Sequence, residues 1–192
     1  MYALCRPALQ RTFLFLLITL ASVDCHAGQL LEARVKRYDG HYLLHLVMRI
    51  HARYPVVYKT LLDFKDLPKV NNTIKSAREL SHKGQVYRVH MVIRGCVWIF
   101  CRTIQEEDVL TLLKHGYLMS ITDPKHSDFY YGHVLWHIED QGKTTLVTYN
   151  ADFAPAFWIP PLFGPAIFKH RLLEEGRKTI NGIERLSSKS KS

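Results

Sequence analysis

The chain lacks the short loops that mark the commonest catalytic and nucleotide-binding folds. It has no Gly-x-Ser-x-Gly turn, no glycine-rich phosphate cradle and no dinucleotide fingerprint. Cysteine is scarce, with four in 192 residues and no Cys-x-x-Cys pair. That spacing argues against a thiol–disulfide enzyme. Acidic residues are also short, 17 against 26 Lys and Arg, for a formal charge of +9. The basic residues are scattered and carry no nucleic-acid motif, so nucleic acid is not an expected partner. No internal repeat occurs. What is present is 47% hydrophobic and 11% aromatic content, the composition of a globular domain with a sizeable core.

The first 27 residues stand apart. Arg6 and Arg11 form a positive start, Phe13 to Val23 is apolar, and Cys25-His26-Ala27 ends in a small residue before Gly28. This order predicts a secretory signal peptide over 1–27, cleaved after Ala27. The apolar run falls short of the ~20 residues that a membrane span needs. Asp24 before Cys25 argues against lipidation. Cleavage would leave 24 basic and 16 acidic residues. The expected location is therefore outside the cytoplasm, in a periplasm-like compartment. A basic exported protein is drawn to anionic surfaces such as lipid headgroups, although the same charge also serves plain solubility.

Export leaves Cys96 and Cys101, an even pair in an oxidising compartment. On one straight strand they would lie about 16 Å apart, too far to bond. With a reversal near Gly95 they would flank a short tip and could be joined. The compartment favours the disulfide. The tip between them, Val97, Trp98, Ile99 and Phe100, then suits a membrane interface, where tryptophan settles. The competing reading makes it the core of a central strand.

Periodicity sketches the rest. Leu30–Lys36 reads as a first strand and Asp39-Gly40 as a hairpin turn. Tyr42, Leu44, Leu46, Met48 and Ile50 alternate along a second strand. Pro55 opens a short helix over 56–64, and Lys65–Lys69 closes it. Strands follow near 74–81, 86–93, 99–109, 110–121, 129–138 and 144–153. Phe168, Leu172, Ile180, Ile183 and Leu186 form one stripe of a final amphipathic helix, with Gly176 on the same stripe. Residues 187–192 form a frayed basic tail.

Several stretches carry a resemblance. They are Tyr54-Pro-Val-Val-Tyr-Lys-Thr-Leu-Leu-Asp-Phe64 with Leu67-Pro68, Asp128-Phe-Tyr-Tyr-Gly-His-Val-Leu-Trp136, and the Phe157-Trp-Ile-Pro-Pro-Leu-Phe-Gly-Pro165 hinge. With the element order, they resemble the START-like or SRPBCC superfamily of polyketide cyclases and lipid-transport proteins. The coenzyme Q-binding branch and its exported bacterial relatives look nearest. The resemblance implies an α+β helix-grip fold over 28–186. A curved antiparallel β-sheet would wrap a long C-terminal α-helix, with a short helical insertion after the second strand. An export signal sets the chain apart from the intracellular quinone chaperones.

A sheet that grips a terminal helix tends to enclose an apolar cavity. Its expected wall is Val147, Tyr149, Ala151 and Phe153 on the last strand, and Phe168, Leu172, Gly176 and Ile180 on the helix. Glycine on that stripe costs about 1 kcal/mol of helix stability against alanine, and leaves room for a ligand or a close approach. Phe157 and Trp158 in the hinge join the tip as membrane-contact candidates. The expected partner is an apolar small molecule or lipid, bound by a monomer. The fold also hosts cyclase- and hydrolase-type enzymes, and a third reading is a cavity-less domain that binds a protein partner.

No metal, cofactor or catalytic residue is expected. His41/His45 and His133/His137 are four apart on strands, where that spacing spans about 13 Å. Neither pair can chelate one ion alone. Asp128, Asp152, Glu174 and Glu175 are the carboxylates considered for acid–base work, with the last two expected on the solvent side of the helix. Asn71-Asn72-Thr73 is a glycosylation sequon of consequence only in a eukaryotic host.

Overall fold

A computed structural model describes residues 28–97, 100–159 and 165–189. Two strands open the chain, β1 (Gln29–Tyr38) and β2 (His41–Ile50). Asp39 and Gly40 turn between them with φ of 47° and 79°, the left-handed pair that a two-residue hairpin requires. A helical insertion follows, α1 (Tyr54–Leu62), a 3-10 turn (Phe64–Asp66) and α2 (Leu67–Val70). Pro55 lies in the first turn of α1, where a missing N–H costs nothing. Six strands then run in sequence: β3 (Ile74–Lys83), β4 (Val86–Val97), β5 (Phe100–Leu112), β6 (Tyr117–Thr122), β7 (Phe129–Gln141) and β8 (Thr144–Pro155). Helix α3 (Pro165–Lys189) ends the described chain.

The strands form one curved antiparallel sheet in the order β1-β2-β8-β7-β6-β5-β4-β3. Helix α3 packs on β1, β2, α1 and α2. This is the START-like helix-grip fold. Period-two alternation explains the inner face. Tyr42, Leu44, Leu46, Met48 and Ile50 are all buried, and Val147 is fully enclosed. Ile180 and Ile183 of α3 are 1% exposed and complete the main core with Val57 and Ile138. Each such side chain contributes about 1.5–3 kcal/mol of burial.

Two boundaries depart from the sequence expectation. The predicted break at 109/110 is not a break, since β5 continues through Leu112. The reversal comes at His115-Gly116, both at positive φ. Val109–Leu112 keeps the strand alternation, and His115-Gly116 is the turn signal in the sequence that ends the hairpin arm. The second departure lies at the cysteine tip. Cys96 and Cys101 are directly paired across β4 and β5 and are disulfide-bonded. The chain reverses between Val97 and Phe100, not at Gly95.

At Gly182, α3 comes close against the Val70 backbone of the insertion. A Cβ there would lie 1.9 Å from the Val70 carbonyl oxygen. At Gly176 a Cβ would meet Leu30 at an ordinary 3.4 Å.

Candidate functional site

A cavity of about 370 Å³ lies between α3, the helical insertion and the inner face of the sheet. That volume is within the ~300–1,000 Å³ of small-molecule sites. Its sheet wall is mostly apolar, with Leu46, Met48, Val89, Met91, Ile93, Leu110, Leu118, Val134 and Trp136. Leu61, Phe64, Leu67 and Val70 of the insertion close one side. Leu172, Glu175, Gly176 and Thr179 come from α3, spaced to share one helix face.

Into this apolar wall β5 inserts two carboxyl groups, Glu106 and Asp108. Their spacing of two puts both on the inner strand face with Leu110, and Glu107 on the other. Thr122 Oγ1 donates to Glu106 Oε1 at 3.3 Å, and Ser120 Oγ donates to Asp108 Oδ2 at 2.7 Å. Asp108 is only 5% exposed, and its Oδ1 has no hydrogen-bond partner among the described residues. Burial, and then the charge of Asp108, push Glu106 up to about 8. Burial also raises Asp108, opposed by the hydrogen bond from Ser120 and by the nearby Thr122 hydroxyl, which itself donates to Glu106. Tyr149 faces the same pair. Burial and the two carboxylates hold its phenol protonated well above the ordinary range. Its ring meets Trp136 edge-on at 4.5 Å.

The third carboxylate in the wall, Glu175, has a different environment. Thr73 Oγ1 donates to it at 2.6 Å, Asn71 Nδ2 at 3.0 Å and Lys178 Nζ at 2.9 Å. Burial raises its proton affinity, but those donors outweigh burial and keep it below the usual range. Asn71 Nδ2 also donates to Thr179, so the atom a glycan would use is already engaged inside the fold. Among the described residues, no Lys, Arg or His lines the cavity.

The residues singled out in the sequence separate into groups. Tyr149, Leu172 and Gly176 line the cavity. Val147 and Ile180 are buried in the adjoining core, at 0% and 1% exposure. Ala151 and Phe153 join a second cluster with Tyr42 and Leu44. The Phe168 side chain lies outside the described residues. So do Trp98, Ile99 and the side chains of Val97 and Phe100. Phe157 packs under the Arg102 guanidinium at 4.4 Å, which brings the hinge beside the turn end of the β4–β5 hairpin. Trp158 is 74% exposed. The predicted signal peptide lies outside the described residues. Among those described, no helix is long and apolar enough to cross a membrane.

Glu175 faces the cavity, not the solvent side expected for it, because positions 172, 175, 176 and 179 share a face. Glu174 instead pairs with Arg171 outside the cavity. Asp128 accepts from the Gln105 backbone, and Asp152 pairs with His41 at 2.7 Å. His45 and His133 lie with Asp152 in a separate groove on the outer sheet face. Glu107, Asp123 and His126 could in principle surround a cation. Arg88 already bridges Glu107 and Asp123, at 2.5 and 3.1 Å.

Glu106 and Asp108 were not among the acid–base candidates read from the sequence. A signal existed. They interrupt an inner-face series that runs Ile104, Glu106, Asp108, Leu110, Leu112. The run Gln105–Asp108 conceals it, because four consecutive polar residues read as an exposed segment.

No protein-family model matches the chain, and no curated protein does. Solved structures do match in fold. The Zhui aromatase/cyclase from Streptomyces sp. R1128 superposes with a TM-score of 0.63 at 9% identity, over 79% of this chain and 96% of that one. A START superfamily protein from Mycobacterium smegmatis gives 0.62 at 14%, over 77% and 98%. A STAR-related lipid transfer protein from Xanthomonas axonopodis gives 0.57 at 12%, over 84% and 99%. The likeness is one of fold.

Proposed function

We propose that this protein binds an apolar or amphiphilic small molecule in the cavity between sheet and helix, as a carrier and not as a catalyst. The observation that carries the reading is the 370 Å³ space itself, apolar-walled and left open by an otherwise packed core. Affinity would come mainly from area burial, about 25 cal/mol per Å² removed from water. Polar groups on β5 would orient the ligand. The names of the fold neighbours, a lipid transfer protein and an aromatase/cyclase, agree with a ligand of that class. Native mass spectrometry of protein purified from its own compartment should show a small apolar mass travelling with it. Protein that arrives empty and binds no apolar fluorescent probe would refute the reading.

The carrier would act outside the cytoplasm. The Cys96–Cys101 bond supports an oxidising compartment. Gly28, the first residue after the predicted cleavage, donates its backbone nitrogen to Glu184 Oε2 at 3.0 Å. A mature chain starting there would place its new ammonium on that carboxylate, a stronger charge-assisted bond. N-terminal sequencing should begin at Gly28. Ligand exchange would take place at an anionic membrane, with Trp158 and the Phe157–Arg102 corner as the contact, working as a monomer. Vesicles rich in anionic lipid should retain the protein, and Trp158→Ala should release it.

A cyclase- or hydrolase-type enzyme is the second reading. The converging Glu106, Asp108 and Tyr149 favour it. Glu106→Gln would then abolish turnover of a bound ligand and leave binding intact.

A further inference from the structure

We propose that the ligand's buried end is a protonated amine that bears N–H donors, held by Asp108 and Glu106 on β5. This rests on the carrier reading above and names the chemistry of its polar end. The argument is one of unmet need. Asp108 is 5% exposed, yet its Oδ1 accepts nothing among the described residues. A buried acceptor without a donor is costly, and a ligand N–H repairs it. A quaternary ammonium has no such hydrogen, so a choline-like head does not answer the need.

Charge points the same way. Two carboxyl groups share one stretch of wall, and no Lys, Arg or His lines the cavity among the described residues. Glu175 on α3 faces the same space, but Lys178 already compensates it at 2.9 Å. Tyr149 on β8 faces the pair as a neutral phenol. The Glu106–Asp108 pair therefore has no counter-charge of its own, and burial, with the Asp108 charge beside it, keeps a proton on Glu106 up to about pH 8. An ammonium supplies both the missing charge and the missing donors. The rings of Trp136 and Tyr149 beside it add faces that attract a cation. The outside of the molecule argues the reverse, since a chain of formal charge +9 repels cations and attracts anions. A cation preference can therefore be assigned to the cavity and not to the bulk charge.

The test compares three probes with the same ten-carbon tail: decylamine, decanol and decanoate. Each competes with an apolar fluorescent dye for the purified mature protein at pH 8. Decylamine should displace the dye at about a tenfold lower concentration than decanol, with decanoate the weakest. Binding should also displace the Glu106 proton. Calorimetry at pH 7 in two buffers of different ionisation heat should record close to one proton released per decylamine, and none for decanol. Asp108→Asn should erase the amine preference while decanol still binds. The proton count needs no variant, so it stands even if Asp108→Asn does not fold. Decanol equal to or tighter than decylamine would overturn the proposal, and so would decanoate as the tightest probe. Dye binding with no competition by any of the three would also overturn it. Failure of the dye itself to bind would instead bring down the carrier reading on which it rests.

Discussion

Glu175 and Glu106 line one cavity from opposite walls, and the fold treats them oppositely. Glu175, on the helix, receives donors from Asn71, Thr73 and Lys178. Glu106, on the sheet, receives one long bond from Thr122 and faces another carboxyl group. Burial raises the proton affinity of both. The supply of donors decides which of them stays ionised. Glu175 is accordingly a structural tie between α3 and the start of β3. Glu106 and Asp108 are the stretch of wall left for something else to complete.

The sharpest way to break this comparison is pH. Glu106 folded holds its proton up to about 8, whereas unfolded it releases it near its ordinary value of 4.5. Between those values the folded state binds the extra proton, so stability falls as pH rises through the window. Each tenfold change in proton affinity is worth ~1.4 kcal/mol. Glu106→Gln should therefore gain on the order of 5 kcal/mol at pH 9, a gain that vanishes near pH 4.5. Urea unfolding at several pH values checks this, and a pH-independent difference would contradict it.

Glu175 carries the opposite sign. Its folded proton affinity is depressed, so its contribution is complete above the ordinary carboxylate range and is lost as pH falls below it. Glu175→Ala should cost about 2 kcal/mol at pH 7, since it strips Asn71 and Thr73 of their acceptor inside the fold. The same urea series should show the deficit shrinking at low pH. A neutral result would mean that water satisfies those donors.

The disulfide separates both effects from general stability. Cys96 and Cys101 enclose a short loop, so replacing both with serine should cost about 2 kcal/mol on the chain-entropy model. That loss should be the same at every pH, because no bonded cysteine titrates. Thermal melts at pH 5 and pH 9 test it, and unequal losses would tie the hairpin to the carboxyl pair.

The smallest change in stability is expected at Gly176. Leucine there gains several tenths of a kcal/mol in helix propensity, and a Cβ at this position meets Leu30 at an ordinary distance. The longer side chain would then occupy cavity space. Gly176→Leu should leave the melting temperature within a few degrees, by the usual size scaling, while weakening apolar-probe binding. Unaltered binding would mean that the ligand does not use the α3 end of the cavity.

What the sequence determined by itself is what period and turn chemistry govern. Tyr42–Ile50 alternates, so its buried face was legible, and Asp39-Gly40 names its own hairpin. The α3 stripe identified Leu172, Gly176 and Ile180 as inward-facing, and all three are packed inside. The pairing of Cys96 with Cys101 followed from compartment, not from geometry, so its reversal point was misplaced. The wall of the cavity is another matter. Val147 and Ile180 differ from Tyr149 and Gly176 only in what lies across from them, and facing partners are set by strand order and helix placement. The same is true of the carboxyl groups. Glu106, Asp108 and Glu175 are legible as positions on a face. Their charge states depend on donors that arrive from β6, the β3 approach and α3. Those elements are brought together by the fold and not by the neighbouring sequence, and the electrostatics of a buried group are set by whatever surrounds it in space.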